Sequence, residues 1–314
     1  MRRLFVRRLV MSVLLIVIVP SLTFLFEAIT PGNIAEQILG PTATPGQVRH
    51  LEAKLGLDQP LYLQYWHWLD GLLHGNLGQS YQTGQSAVAT LSPRLPATLS
   101  IVLGALVFAL VVGVAFGILS ATRGRVLPKI IDIGSVFGLA VPGYWLAVIL
   151  ILVLAVRIRL FPATGYVPLT ASPAQWLRSL VLPSVALGLG LATFIAKQTR
   201  DQLLSVLNRD FIRTLRANGA SGSSILFRHA LRNAGIPIVT VLGLSLVGAL
   251  SGSVFVEAVF FLPGLGSALV VAAQSHDLPV VEAISFYFTV FVVVVNLVVD
   301  SVYVVLDPRV RGAA

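Results

Sequence analysis

Few side chains in this sequence could do chemistry, and each is poorly placed for it. Gly219-Ala220-Ser221-Gly222 has the spacing of a serine nucleophile on a tight turn, with His229 or His276 available as a base. Hydrolysis within a membrane by such a serine would need a pocket walled off from bulk water. Ser221 instead lies in a segment crowded with arginine, where a capping and turning role accounts for it. The five histidines, His50, His67, His74, His229 and His276, show no His-Glu-x-x-His or other paired ligand spacing, so surface or interface roles account for them. There is no cysteine, hence no disulfide, thiolate ligand or thiol nucleophile. No Gly-x-x-x-x-Gly-Lys-Ser/Thr run is present to cradle nucleotide phosphates.

Among the ionisable residues inside apolar runs are Asp132, Lys197, Glu257 and Asp300. Unpaired at mid-bilayer, each would cost about 2.5–3.5 kcal/mol. All four sit near the ends of their runs, where partial hydration removes much of that cost. Glu257 has Ser251 and Ser253 as neighbours; it either lines the outer mouth of a pathway or hydrogen-bonds an adjacent helix. No acidic groups repeat deep along one helix face, which argues against a proton relay.

The elements that must position these residues follow from composition. The chain has 314 residues, of which 56% are hydrophobic and 11% charged, with a mean hydropathy of +0.88. Too little charge is available to cover a soluble domain of this length, so the fold class is an all-α membrane protein. Six apolar runs are long enough to span: about 9–29, 97–120, 130–156, 180–199, 238–260 and 281–306. The basic start imitates a signal peptide. Its apolar run is nonetheless long enough to cross and lacks a small-residue cleavage site, so it reads as an uncleaved span, kinked at Pro20. The fourth run is rich in small residues (Gly188, Gly190, Ala192) that let helix backbones approach, so it belongs at the centre of the bundle.

Between the first two spans, residues 31–96 are polar and broken by proline and glycine. Thr44 caps a helix through about Leu55. Tyr62, Tyr65, Trp66 and Trp68 then crowd one short amphipathic helix, suited either to lie at the headgroup level or to dock an outside partner. Six spans put both termini on one side, with sixteen of the 22 lysines and arginines. Arg49, Lys54, Arg94, Arg157, Arg159 and Arg178 are the remainder. That asymmetry makes the basic side cytoplasmic and explains the net charge of +9 without nucleic acid. The divisions expected are 1–30 (tail and first span), 31–96 (extracytoplasmic), 97–306 (core, including a cytoplasmic loop at 200–237) and 307–314 (tail).

The cytoplasmic loop at 209–237 is the most unusual stretch. Phe211 and Leu215 share one face of a short helix, Arg209, Arg213 and Arg216 point elsewhere, and Asn218-Gly219 stops it. Ser221 or Ser223 caps a second helix through Arg232, and Pro237 marks re-entry into the apolar phase. Phe211-Ile212-Arg213-Thr214-Leu215-Arg216-Ala217-Asn218-Gly219, then Arg228-His229-Ala230-Leu231-Arg232-Asn233-Ala234 and Pro237, resembles the loop of ATP-binding-cassette (ABC) importer permeases of the dipeptide/oligopeptide branch. Leu215 stands where alanine is usual. The stretches 56–80, 94–99, 261–266, 296–300 and 306–309 resemble the same branch, so the likeness covers nearly the whole chain.

The resemblance implies a type I importer permease of six transmembrane helices in a bacterial inner membrane. Arg209, Asp210, Phe211, Arg213, Thr214, Leu215, Arg216, Ala217 and Gly219 would form the coupling helix that docks on a separate ATPase. Partners implied are a second homologous permease in a heterodimer, two ABC ATPases, an extracytoplasmic substrate-binding protein and a peptide substrate. ATP and Mg would be bound by the ATPases, so this chain would hold no cofactor and catalyse no reaction. Ser251, Ser253 and Glu257 are the candidate pathway residues, and Tyr62, Tyr65, Trp66 and Trp68 the candidate contacts for the binding protein. The reading set against it is a stand-alone secondary transporter or channel.

Overall fold

The computed structural model describes residues 2–30, 32–122 and 126–306. The expected 307–314 tail, Arg123, Arg125 and the side chain of Asp300 lie outside the described residues. The described chain is helical and divides into two compact units.

One unit comprises residues 2–96 and 263–293. It holds α1 (Arg2–Ile29), α2 (Ile34–Leu39), α3 (Pro45–Leu55), α4 (Leu61–Leu73), α5 (Ala87–Leu91), α12 (Leu265–Gln274) and the first half of α13 (Leu278–Leu306). Local chemistry sets the short helices. Asn33 caps α2 by accepting from the Ala35 and Glu36 amides. Thr44 caps α3 as the sequence suggests, the structure adding Gln47 as its partner in a reciprocal capping box, and Gly56 ends that helix in the left-handed conformation. Leu77, Ala87 and Leu91 pack with Leu265, Ala268, Val280 and Ile284 into one buried cluster. A polar clamp closes it: buried Asp277 accepts from Ser80 Oγ at 2.5 Å and from the Tyr81 amide at 2.9 Å.

The other unit comprises residues 97–262 and the remainder of α13. It holds α6 (Leu95–Thr122), α7 (Val126–Ala140), α8 (Gly143–Leu150), α9 (Pro173–Leu207), α10 (Asp210–Ala217) and α11 (Leu231–Val259). A π-helical stretch, Ile151–Arg157, continues α8, and another, Ser224–Ala230, leads into α11. Among the described residues, five helices are long and apolar enough to cross a membrane: those at 10–27, 95–122, 173–207, 224–259 and 278–299. The expected third span is instead the pair α7 and α8, bent by 106°. Its cause is Pro142, which lacks an amide hydrogen and is itself extended, with φ −60 and ψ 134, so the helical ladder stops there. Pro20, Pro183 and Pro237, by contrast, lie inside continuous helices. Neighbouring helices in a membrane can absorb the single ladder bond each removes.

Glycine sets how closely α9 approaches its neighbours. A Cβ at Gly113 of α6 would fall 2.8 Å from the Ala192 carbonyl oxygen of α9. One at Gly188 of α9 would fall 2.7 Å from the Ala105 oxygen of α6, and one at Gly190 would fall 2.6 Å from the Gly138 oxygen of α7. Backbone therefore meets backbone on two sides of α9, and 56% of its membrane window is buried. The central place expected of its small residues is the one observed.

Gly113→Val should lower the midpoint of detergent-induced unfolding, because overpacking a core typically costs about 1–3 kcal/mol. Gly248→Ala is the control. A methyl group added there would meet nothing within 4 Å, so the gain in helix propensity of about 0.5–1 kcal/mol should leave the midpoint unchanged or higher. Equal midpoints for the two variants would refute close packing at Gly113.

Candidate functional site

A helix of eight residues in an arginine-rich connection has little to hold it unless something is buried. In α10 that residue is Ile212, with no exposed surface; Leu215, three positions on, is half-buried. Phe211, which the i, i+4 spacing puts on one face with Leu215, is 40% exposed. The difference is one of register: positions i and i+3 face inward here, and i−1 rotates outward by about 100°. Arg209, Arg213, Thr214, Arg216 and Ala217 are exposed. Asp210 lies in the first turn and Arg216 in the last, matching the helix dipole, and the exposed Arg213–Asp210 pair at 3.4 Å adds little. Gly219 ends the helix at φ +79 with nothing within 4 Å of a Cβ, so the backbone conformation, not crowding, calls for glycine there.

The two helices that carry α10 are longer than a bilayer requires. α9 has 35 residues and the continuous helix Ser224–Val259 has 36. At 1.5 Å per residue each is roughly 50 Å long, against about 30 Å of hydrocarbon. The surplus runs toward α10, as Lys197, Arg200 and Asp201 on α9 indicate. Leu203 and Val206 of α9 pack with Ala230, Ala234 and Ile238 of the opposite arm, all buried, so the two stalks are fused into one apolar seam. The second arm is thus not the separate helix ending at Arg232 that the sequence suggests. It begins at Ser224, whose amide is 3.3 Å from Ser221 Oγ, and runs without interruption through Pro237. Ser221 is exposed, and its hydroxyl is engaged in this cap and near Ser223 Oγ.

Charges tie the base of the stalk to the bent pair. Arg200 Nη1 and Lys197 Nζ of α9 donate to Asp132 Oδ1 of α7 at 2.9 and 3.3 Å, and Lys197 also reaches Asp201 at 3.7 Å. Asp132 and Lys197 are the residues read as tolerable near span ends; the structure adds that they neutralise one another, with Arg200 as a third member that sequence reasoning missed.

At the far end of α11, Glu257 has no exposed surface, and its Oε1 accepts a 2.6 Å bond from Thr98 Oγ1 of α6. This is the interhelical arrangement of the two expected for it. Ser253 is buried and Ser251 exposed; each hydroxyl donates to a carbonyl of its own helix, Leu250 and Val247. Thr98 carried no sequence signal. In the other unit, the four aromatics of α4 separate into two pairs. Tyr62 and Trp66 are exposed, at 63% and 60%. Tyr65 turns onto α1, its hydroxyl 2.6 Å from Ser21 Oγ and its ring edge-on to Phe24 at 5.4 Å, and Trp68 lies against Tyr65 at 6.0 Å.

The chain is thus a bundle of glycine-packed membrane helices, two of them extended to hold a short basic helix. The chain belongs to the family of binding-protein-dependent transport system inner membrane components. That family model matches residues 113–312, and the corresponding N-terminal model matches residues 1–102. A probable peptide ABC transporter permease from Sinorhizobium fredii is 38% identical over 97% of this chain and 98% of its own length. An oligopeptide transport system permease from Bacillus subtilis and a glutathione transport system permease from Escherichia coli are each 35% identical, with 98% of both chains covered. Among solved structures, an inward-facing form of the MetNI methionine ABC transporter matches 70% of this chain and 97% of its own with a TM-score of 0.54. Its 20% identity bears on the fold alone.

Ile212→Ala should raise amide exchange across 210–217 by about tenfold or more, since truncating a buried isoleucine typically costs about 2–5 kcal/mol. Phe211→Ala should leave those rates within about twofold of wild type. Equal effects from the two substitutions would contradict Ile212 as the anchor.

Proposed function

We propose that this chain is one of two membrane subunits of an ATP-driven peptide importer, and that α10 transmits the motion of a partner ATPase to the bundle. The observation that carries the reading is the mounting of α10. It is pinned inward by one buried side chain, offers Phe211 and arginines outward, and sits on two stalks joined along an apolar seam. Phe227, 60% exposed at the head of the second stalk, extends the apolar part of that surface. An exposed aromatic ringed by arginine is the composition of a protein-binding hot spot. The relatives' names, which specify peptides, oligopeptides and glutathione, support a peptide-like substrate.

In this reading the stalk side is cytoplasmic, as the lysine and arginine asymmetry supports, with both termini there. Two ATPase subunits hold ATP and Mg and close on nucleotide. Closure moves α10 and shifts the bundle between inward- and outward-open arrangements, by the difference in affinity of ATP for the two. A second, homologous permease supplies the other wall of the pathway, and an extracytoplasmic binding protein delivers the substrate. Of the three candidate pathway residues, the exposed Ser251 is the one available to border that pathway near its outer end, with Ser253 and Glu257 buried behind it, and the exposed Tyr62 and Trp66 are the part of α4 available to the binding protein.

The test uses proteoliposomes of the permease co-expressed with its neighbouring subunits. Uptake of a short peptide should require ATP and the binding protein; ATP-independent uptake by this chain alone would favour a secondary transporter or channel. Gly219→Val, whose left-handed backbone costs a β-branched residue about 1–2 kcal/mol, should abolish uptake while the subunits still insert and ATP is still hydrolysed. Wild-type uptake by that variant would remove α10 from the coupling path. Shortening 57–80 should impair delivery by the binding protein and spare basal ATP hydrolysis; loss of both would make that segment structural.

A further inference from the structure

The unit formed by residues 2–96 and 263–293 contains a cavity of about 670 Å³ that none of the roles above uses. Its lining includes Trp68 of α4 and Glu282 of α13. Glu282 is 1% exposed, and its Oε1 has no hydrogen-bond partner; the Trp68 indole nitrogen is likewise buried without an acceptor. An orphaned buried acceptor is expensive, and so is an orphaned donor, typically about 1–3 kcal/mol each. Finding one of each on the same cavity wall is a pattern that a ligand bearing both complements would satisfy.

The rest of the wall narrows the ligand. Tyr81 also lines the cavity, and burial, then the charges of Glu282 and Asp277, pushes its hydroxyl up to about 12, so it remains a neutral donor. Tyr81, Gln64 and Leu278 line a second, smaller cavity of about 240 Å³ as well, where Glu27 stands 3.6 Å from His276 Nδ1 with its Oε1 lacking a hydrogen bond. Phe24 and Trp68 present aromatic surface and exposed Lys54 a positive charge. Among the described residues, Glu282 is the one carboxylate in the lining of the larger cavity, and an organic cation is its complement. A primary ammonium suits a buried carboxylate in a cavity that aromatic rings also line. A carbonyl one or two bonds away suits the indole N–H, and a terminal carboxylate suits Lys54.

We infer that this cavity is a binding site for a small zwitterion, an amino acid or short peptide with a free α-ammonium, held by Glu282 through its ammonium and by Trp68 Nε1 through its carbonyl. The site rests on the peptide-import reading and deepens it, by placing a substrate contact on the permease itself, apart from the candidate pathway residues of α11. It requires only that such a ligand reach the unit.

The probe is the dipeptide Ala-Ala, titrated by calorimetry into the wild-type permease purified with its co-expressed subunits. Ala-Ala should bind, and N-acetyl-Ala-Ala, which lacks the ammonium, should bind about tenfold more weakly or not at all. Glu282→Gln, of nearly the same shape, should abolish the preference between the two peptides, and Trp68→Phe should weaken both by several-fold. Equal binding of the acetylated and free peptides to wild type would overturn the proposal whatever the variants do. So would an undiminished preference in a folded Glu282→Gln. ATP-dependent uptake measured on the same wild-type preparation separates the two ideas: uptake without this binding rejects the site and keeps the importer.

Discussion

Inside a bilayer there is no hydrophobic gain from putting one apolar helix against another, because lipid chains serve equally well. What remains is contact: dispersion forces that fall away within an ångström of separation. The bundle of 97–262 meets that constraint at α9, where Gly188, Gly190 and the facing Gly113 and Gly138 bring main chains within touching distance. Everything else in that unit follows from α9 being held on two sides. It can then be longer than the membrane without swinging loose, and a short helix mounted on its end inherits a fixed position. Polar ties finish the fit at both ends, Asp132 with Arg200 and Lys197 at one and Glu257 with Thr98 at the other.

The two π-helical stretches and the break at Pro142 lie where that rigid framework changes direction. A π turn packs an extra residue into each hydrogen-bonded loop, so side chains beyond it are rotated relative to a straight helix. Ser224–Ala230 sets the face that the second stalk offers to α9. Ile151–Arg157 ends the outgoing half of the bent pair. The seam between Leu203 and Ala234 depends on that rotation as much as on the residues in it.

Much of this was legible in the sequence, because it is written in local patterns. Apolar runs of membrane length, the cap at Thr44, the glycine stop after Asn218 and the small residues of α9 each act within a few positions of the chain. The features that were not legible depend on partners far away in sequence. Nothing about Thr98 marks it as the donor to a carboxylate 159 positions on, or Ser80 as the mate of Asp277. With only the helix known, the larger ring of Phe211 is a better anchor than Ile212; the shape of the surface they meet decides otherwise. The break in the third span was visible as Pro142-Gly143, but proline also occurs inside three unbroken helices here, at Pro20, Pro183 and Pro237. Composition alone does not say which prolines the surroundings will absorb.

The length of α9 has a mechanical meaning. A stiff rod of 35 residues, roughly 50 Å at 1.5 Å per residue, turned by about 10° about one end sweeps its other end through about 9 Å. Run in reverse, a displacement of nearly a nanometre at the short basic helix becomes a modest change of pitch among tightly fitted neighbours. In the importer proposed above, that geometry would trade travel for force, as a crowbar does, and a large, soft movement outside the membrane would work a small, stiff one within it.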